Sequence, residues 1–259
     1  MDYETILVNK SKGSITIMLN RLAQKNSIDR TMLKEINQAL DNAEKDPSCT
    51  MIIIEGQNGV FCTGMDFKDS FAEEGSNDFS SLYMETIKRF TMMPKVIIAN
   101  VDGRVIAGGV GLAAASDFVI ASPRSQFSLS EALWGLLPAC VTPFLIRRVG
   151  FQVAYRMTLT TMPISAKEAY NVQLVDEMSE SPLESIRRIK LRIAHIDKTT
   201  LRSMKQYFRD MWILTEDMEK RATEELSRLK SLPKVRENVL NYLNYQQFPW
   251  EGAKNSHND

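Results

Sequence analysis

The chain has 259 residues, 32 acidic and 32 basic side chains, and no net charge at pH 7. That length holds one large domain, or one domain with a helical appendage, and the neutral balance argues against a nucleic-acid surface, which needs a basic stripe. Three cysteines with no CxxC pair and two histidines argue against a disulfide framework, a metal site and a Ser-His-Asp triad.

Ile6 to Val8 and Ser14 to Leu19 read as strands joined by a turn at Lys10 to Gly13. Ser27 is the expected cap of a helix from about Arg30 to Glu44, whose Met32, Leu33, Ile36, Leu40 and Ala43 recur at helical spacing. Met51 to Ile54, Val96 to Val101 and Phe118 to Ala121 are apolar, β-branched runs that read as buried strands, with a short fourth at Gln126 to Ser128. Helices are expected at Phe79 to Met93 and Gly108 to Ala115 between them. Strands alternating with helices predict an α/β core with parallel pairing. Beyond Pro138 the pattern turns helical: Val141 to Val149, Gln152 to Leu159, a short helix capped by Ser165, then helices from Pro182 to Tyr245 broken at Pro233. Val172 to Val175 reads as a strand or a turn, and the polar tail from Gly252 as disordered. The basic run Arg187 to Arg192 reads as a solvated helix face or as a surface for an acidic partner. No apolar run approaches the ~20 residues of a membrane span. The acidic N-terminus has no signal-peptide pattern, so the expected location is cytoplasmic.

Three segments carry chemistry. In Phe61-Cys62-Thr63-Gly64-Met65-Asp66-Phe67, a glycine just after a strand lets the backbone bend and leave an amide pointing into space, and Asp66 can fix the bend. In Ala107-Gly108-Gly109-Val110-Gly111, close glycines can open a helix whose first amides face an anion; the spacing fits neither a phosphate loop nor a dinucleotide fingerprint. In Phe127-Ser128-Leu129-Ser130-Glu131-Ala132-Leu133-Trp134, one carboxylate sits among apolar and hydroxylic neighbours, where desolvation suits it to general acid–base work. Each segment alone also has a plain structural reading: a loop, a close-packed helix, and a Ser128–Glu131 capping box.

Taken together and in order, the segments resemble the crotonase (enoyl-CoA hydratase/isomerase) superfamily, over about Ile6 to Phe248. The resemblance implies a ββα spiral core over residues 1–180, a C-terminal helical oligomerisation region over 181–251 and a disordered tail over 252–259. It implies an oxyanion hole from the amides of Met65 and Gly108, and contacts from Ala23, Gln24 and Lys25 to a CoA or phosphopantetheine arm. Glu131 matches the second of the two glutamates of typical hydratases, whereas the first position is Gly111, which implies one-carboxylate chemistry. Asp66 and Arg104 are possible accessory groups: Asp66 as a brace, Arg104 as a partner for a substrate carboxylate. Asp69 and Tyr83 fall where family loops line the acyl pocket.

Phe127 to Glu131, Gly135 to Cys140, Pro143 to Arg148 and Gln247 to Glu251 are similar to one subgroup, the β-branching dehydratases of polyketide biosynthesis. This implies dehydration of 3-hydroxy-3-methylglutaryl-acyl carrier protein to 3-methylglutaconyl-acyl carrier protein by a carbon–oxygen lyase. No cofactor is expected beyond the carrier's phosphopantetheine or CoA. An acyl carrier protein is the expected partner, with no nucleic acid or membrane, and a homotrimer or hexamer is the expected assembly. The alternatives are a Δ3,Δ2-enoyl-CoA isomerase, a decarboxylase of the methylglutaconyl product, and a noncatalytic scaffold.

Overall fold

The computed structural model describes residues 3–72, 76–212 and 214–251. The tail expected to be disordered, 252–259, lies outside the described residues. The chain opens with a hairpin of β1 (Ile6–Ser11) and β2 (Ser14–Leu19), its turn narrowed to Lys12 and Gly13. Helix α1 (Arg30–Lys45) buries Met32, Leu33, Ile36, Ala39, Leu40 and Ala43, the stripe its periodicity predicts.

Three successive units then each give one strand to each of two sheets. They begin with β3 (Met51–Glu55) and β4 (Val60–Cys62), followed by the short α2 (Phe67–Ser70) and α3 (Ser76–Met92). Next come β5 (Val96–Val101), β6 (Arg104–Ile106) and α4 (Gly108–Ala115). The third unit is β7 (Phe118–Ala121) and β8 (Gln126–Ser128), with a 3-10 turn at Glu131–Trp134 and the long α5 (Thr142–Thr160). This is the ββα spiral. The chain continues through β9 (Ile164–Ser165), α6 (Ala166–Asn171) and β10 (Glu177–Met178). Four helices close it: α7 (Pro182–Ile193), α8 (Lys198–Met211), α9 (Glu216–Ser231) and α10 (Pro233–Tyr245).

The larger sheet has the order β1-β2-β3-β5-β7-β10, antiparallel only at the hairpin. The smaller one runs β4-β6-β8-β9, parallel through β8. Strands β3 and β5 are apolar on both faces because both faces are covered. Ile52, Ile54, Ile97 and Ala99 join the main core, while Met51, Ile53, Val96 and Ile98 form a second cluster with Ile186 of α7 and Leu201 of α8.

Three local expectations change, and one left open is decided. The α1 cap is Asp29, whose carboxylate accepts from Met32 N at 2.8 Å; Ser27, two residues earlier, turns its hydroxyl to Asp66 Oδ2 at 3.1 Å. Val172 to Val175 forms a turn, and the edge strand lies just beyond it at β10, where Glu177 and Met178 pair with Ile120 and Ala121. Strand β6 stands where the sequence shows only a glycine-bounded approach to α4. The Ser128–Glu131 capping box does not form, because Glu131 begins the 3-10 turn behind Ser130, which makes no side-chain cap. The break inside α5 falls at Gly150, with φ +75°, between the two helical runs expected there.

Candidate active site

The two glycine turns meet. A Cβ on Gly64, whose φ is +87°, would stand 2.7 Å from Ala107 Cβ and 3.2 Å from Gly108 N, so only glycine permits the approach. The Met65 segment is pinned from outside: Ile28 N donates to Gly64 O at 2.7 Å and Asp66 N to Ile28 O at 2.8 Å. Ala107 holds the unusual φ of +52° just before α4, and its own amide is taken by Ser128 O at 2.9 Å. Among the described residues, no hydrogen bond consumes Met65 N or Gly108 N. Gly108 N belongs to the first turn of α4, where helix amides have no internal partner. Two free amides on touching turns are suited to one developing oxyanion.

These turns wall a cavity of about 420 Å³, lined by Met65, Gly108 and Glu131 and closed by apolar side chains including Phe79, Leu136 and Val141. Strand β8 and the 3-10 turn bring Glu131 to it. Glu131 Oε2 is sealed from solvent and has no hydrogen-bond partner. Burial pushes this carboxyl up to about 7, and the nearby amides of Glu131 and Ser130 oppose the shift only in part. A carboxyl poised near neutrality can take a proton and return it.

At Gly111, where the resemblance leads one to expect a first glutamate, the space is filled from another element. A Cβ on Gly111 would overlap the phenolic oxygen of Tyr83, a residue of α3, and would stand 3.0 Å from Val141 Cγ2. The Tyr83 hydroxyl donates to Gly108 O at 2.6 Å, and burial pushes its phenol well above the ordinary tyrosine range. Tyr83 thus excludes any longer side chain at 111 and clamps the first turn of α4.

The other expected residues divide. Gln24 and Lys25 line the cavity mouth; Ala23 is exposed and does not line it. Asp66 also lines it, but its carboxylate is occupied: Oδ1 accepts from Lys68 N at 3.0 Å and Oδ2 from Arg21 Nη2 at 3.0 Å. It braces the loop. Arg104 lines the mouth from an exposed position on β6. Asp69 lies outside the lining and pairs with Arg30 at 3.0 Å. Cys62 and Cys140 are buried thiols pushed up to about 12 by desolvation, which leaves them unsuited to nucleophilic work.

Sequence reasoning missed the contribution of the last helices: Leu226 of α9 and Tyr242 and Leu243 of α10 complete the wall. An aromatic cluster anchors them, with Trp134, three residues after Glu131, ringed by Phe67 at 4.7 Å, Tyr242 at 5.2 Å, Phe248 at 6.0 Å and Trp250 at 5.9 Å. Arg21 was also missed; it bonds Ser27 O at 2.5 Å and both Asp29 and Asp66 at 3.0 Å, tying the Gln24–Lys25 loop to the Met65 turn.

This fold, with its paired glycine turns and the sealed Glu131 Oε2 in the cavity they wall, defines a class. Residues 9–254 match the model of the enoyl-CoA hydratase/isomerase family, and the chain belongs to that family. It is a carbon–oxygen lyase of the hydratase/dehydratase type. Among its relatives is the bacillaene synthase dehydratase PksH of Bacillus subtilis, 36% identical over 96% of this chain and 97% of that protein. The crystal structure described as a putative polyketide biosynthesis enoyl-CoA hydratase (pksH) from Bacillus subtilis superposes with a TM-score of 0.83 at 32% identity, covering 96% of this chain and all of that one. An enoyl-CoA hydratase/isomerase from Xanthobacter autotrophicus Py2 superposes with a TM-score of 0.85 at 26% identity, covering 94% of each chain.

Proposed function

We propose that the enzyme dehydrates 3-hydroxy-3-methylglutaryl-acyl carrier protein to 3-methylglutaconyl-acyl carrier protein during polyketide β-branching. The carrying observation is the sealed, unpartnered Oε2 of Glu131 in a cavity where Tyr83 occupies the space beside Gly111. The relationship to a bacillaene synthase dehydratase supports the substrate. The thioester oxygen sits on the Met65 and Gly108 amides. Glu131, as carboxylate, takes a proton from the carbon next to the thioester, and the charge that forms passes to the oxygen they hold. One such donor contributes roughly 3–4 kcal/mol. The enolate then expels the β-hydroxyl on the same face, and Glu131 returns its proton to that oxygen, so water leaves. Departure from a tertiary carbon lessens the need for another acid.

Gln24 and Lys25 at the mouth contact the phosphopantetheine arm of the carrier protein, which serves as partner. Phe151, Tyr155 and Leu159 recur every four residues along α5 as exposed apolar side chains, which supports assembly as a trimer or paired trimers. Among the described residues, no helix is long and apolar enough to cross a membrane.

Intact-protein mass spectrometry of the loaded carrier protein tests the reaction. Wild type is expected to remove one water, and Glu131→Gln to slow that loss roughly 1000-fold with little change in binding. No mass change with wild type, together with a shifted alkene in an enoyl-CoA, would replace dehydration by isomerisation; loss of carbon dioxide from the unsaturated product would point to decarboxylation.

A further inference from the structure

Among the described residues, five hydroxyl side chains line the cavity, and three of them are spent. Ser27 Oγ donates to Asp66 Oδ2 at 3.1 Å, Thr63 Oγ1 to Lys25 O at 3.0 Å, and the Tyr83 phenol to Gly108 O at 2.6 Å. A phenol carries one proton, so Tyr83 has none left for a substrate. The hydroxyls of Ser130 and Tyr242 have no hydrogen-bond partner among the described residues. Tyr242 belongs to α10, and its ring packs against Trp134 at 5.2 Å and Phe248 at 5.1 Å. Of the two, only Ser130 is held beside Glu131 by the backbone itself.

A serine just before a helical turn ordinarily spends its hydroxyl on an amide two or three residues further on. Ser165 and Thr215 do so: at ψ 164° and 159°, each accepts at 3.2 Å, from Glu168 N and Met218 N. Ser130 stands in the same place before the 3-10 turn, but at φ −98° and ψ 2° it makes no cap. The backbone closes that turn without it, since Ser130 O accepts from Leu133 N at 3.1 Å. The hydroxyl is left half-buried on the cavity wall. Its distance from Glu131 is bounded. The Ser130 amide lies near enough to the Glu131 carboxyl to oppose part of the desolvation that raises it. Covalent geometry keeps a serine Oγ within roughly 4 Å of its own nitrogen, so the Ser130 hydroxyl and the carboxylate stand at most about 7 Å apart. A single oxygen bonded to both needs a gap of about 5.5 Å.

We propose that the Ser130 hydroxyl donates to the departing β-oxygen of the substrate, holding it on the Glu131 side and taking up part of the negative charge that grows as the carbon–oxygen bond breaks. Ser130 keeps its own proton throughout. The proton on the carbon next to the thioester goes to Glu131, the electrons of that bond form the alkene as the carbon–oxygen bond opens, and the proton on Glu131 turns the leaving oxygen into water. Ser130 is then a catalytic residue that transfers nothing, and Glu131 remains the sole acid and base. This deepens the proposed function and rests on it for the substrate.

Equilibrium binding of two unreactive probes tests the contact: the pantetheine amide of 3-hydroxy-3-methylglutarate, and that of 3-methylglutarate, which lacks the hydroxyl. Wild type is expected to prefer the hydroxy probe by roughly 3- to 10-fold. Ser130→Ala should bring the ratio to near one, and Ser130→Thr, which keeps a hydroxyl, should retain most of it. On the loaded carrier protein, Ser130→Ala should lower kcat for water loss by roughly 10- to 100-fold, while α-proton exchange of 3-methylglutaryl-pantetheine in deuterium oxide slows by less than about threefold. Ser130→Gly carries the same expectations if the alanine variant does not fold. A wild type without preference, an unchanged ratio in the folded alanine variant, or equal losses of dehydration and exchange overturns the contact. A Ser130-dependent preference in an enzyme that removes no water would overturn the reaction and leave the contact standing.

Discussion

Two charged regions of this molecule are built on opposite terms. Around Asp117, at the seam of β5, β7, α5 and α8, nearly every group is spent. Asp117 Oδ2 accepts from Ile97 N at 2.8 Å and from Lys205 at 2.7 Å, and Arg148 spans Ser116 O at 2.9 Å, Asp117 O at 3.1 Å and Asp176 Oδ2 at 2.9 Å. Its orphans are few and belong to side chains bonded elsewhere: Nε of Arg148, Nε of Arg209, which pairs with Glu219, and Oδ1 of Asn100, whose amide donates to Glu55. In and behind the wall of the cavity the reverse holds: Glu131 Oε2 in the lining, and Ser70 Oγ and Ser80 Oγ outside it, are buried without partners, and Lys230, also outside it, has one identified acceptor. Buried polar groups are ordinarily satisfied. The difference separates charge that holds the fold from polar groups left without a structural bond.

Removing charge from the first region should be costly, and from the second beneficial to stability. Lys205→Met strands Asp117 without its counter-ion and is expected to lower stability by about 3–5 kcal/mol in urea unfolding. It should leave the rate per folded molecule unchanged, because Lys205 lies outside the cavity. A loss below about 1 kcal/mol would break the comparison. Glu131→Gln should do the opposite. The carboxyl rises from 4.5 in the unfolded chain to about 7 in the fold, so the native state holds the proton more tightly. The contribution of this carboxyl to stability is then full below pH 4.5 and is lost as pH rises to about 7, by about 3 kcal/mol in all. At pH 8 the glutamine variant should therefore be the more stable protein while being nearly inactive. Catalysis follows the other sign: kcat/KM of wild type should climb through pH 7 as the carboxylate forms, and level off above it.

How much of this was legible from the sequence depends on whether a feature is local. Strands β3, β5 and β7 are continuous β-branched runs, and their lack of alternation already signals two covered faces. The glycine turns and Glu131 were readable because glycine marks a backbone need and a carboxyl in an apolar run marks a chemical one. Strand β6 was hidden, since Arg104-Val105-Ile106 is three residues long and lies between glycine-bearing bends. Asp29 and Ser27 are both good capping residues, and only the position of Asp66, 39 residues after Ser27, decides between them. Lys230 sits in Leu229-Lys230-Ser231, which on an amphipathic helix reads as solvent-facing; its burial comes from packing against Phe71 and Phe79, over 150 residues away. The sequence reading found the empty place at Gly111 but could not find what fills it.

The glycine at 64 gives a sharper cut between holding and binding. Gly64→Ala places a methyl 2.7 Å from Ala107 Cβ on a backbone at φ +87°, forcing the two turns apart. The proposed oxyanion amides would separate, and kcat should fall roughly 100-fold, as when one donor is lost. A fall in stability with kcat preserved would assign Gly64 to the fold alone.

Tyr83 offers the smallest and most discriminating change, because it is a satisfied polar group inside the unsatisfied region. Its hydroxyl has one identified bond, to Gly108 O at 2.6 Å, and that carbonyl opens the helix whose first amide belongs to the proposed oxyanion hole. Tyr83→Phe keeps the ring and the block on position 111. If the hydroxyl only steadies that turn, the variant should lose about 1 kcal/mol of stability and at most tenfold in kcat, with KM unchanged. A loss of 1000-fold or more at unaltered stability would mean that the phenol touches the departing hydroxyl. Tyr83 would then have taken over the chemistry of the absent glutamate as well as its place.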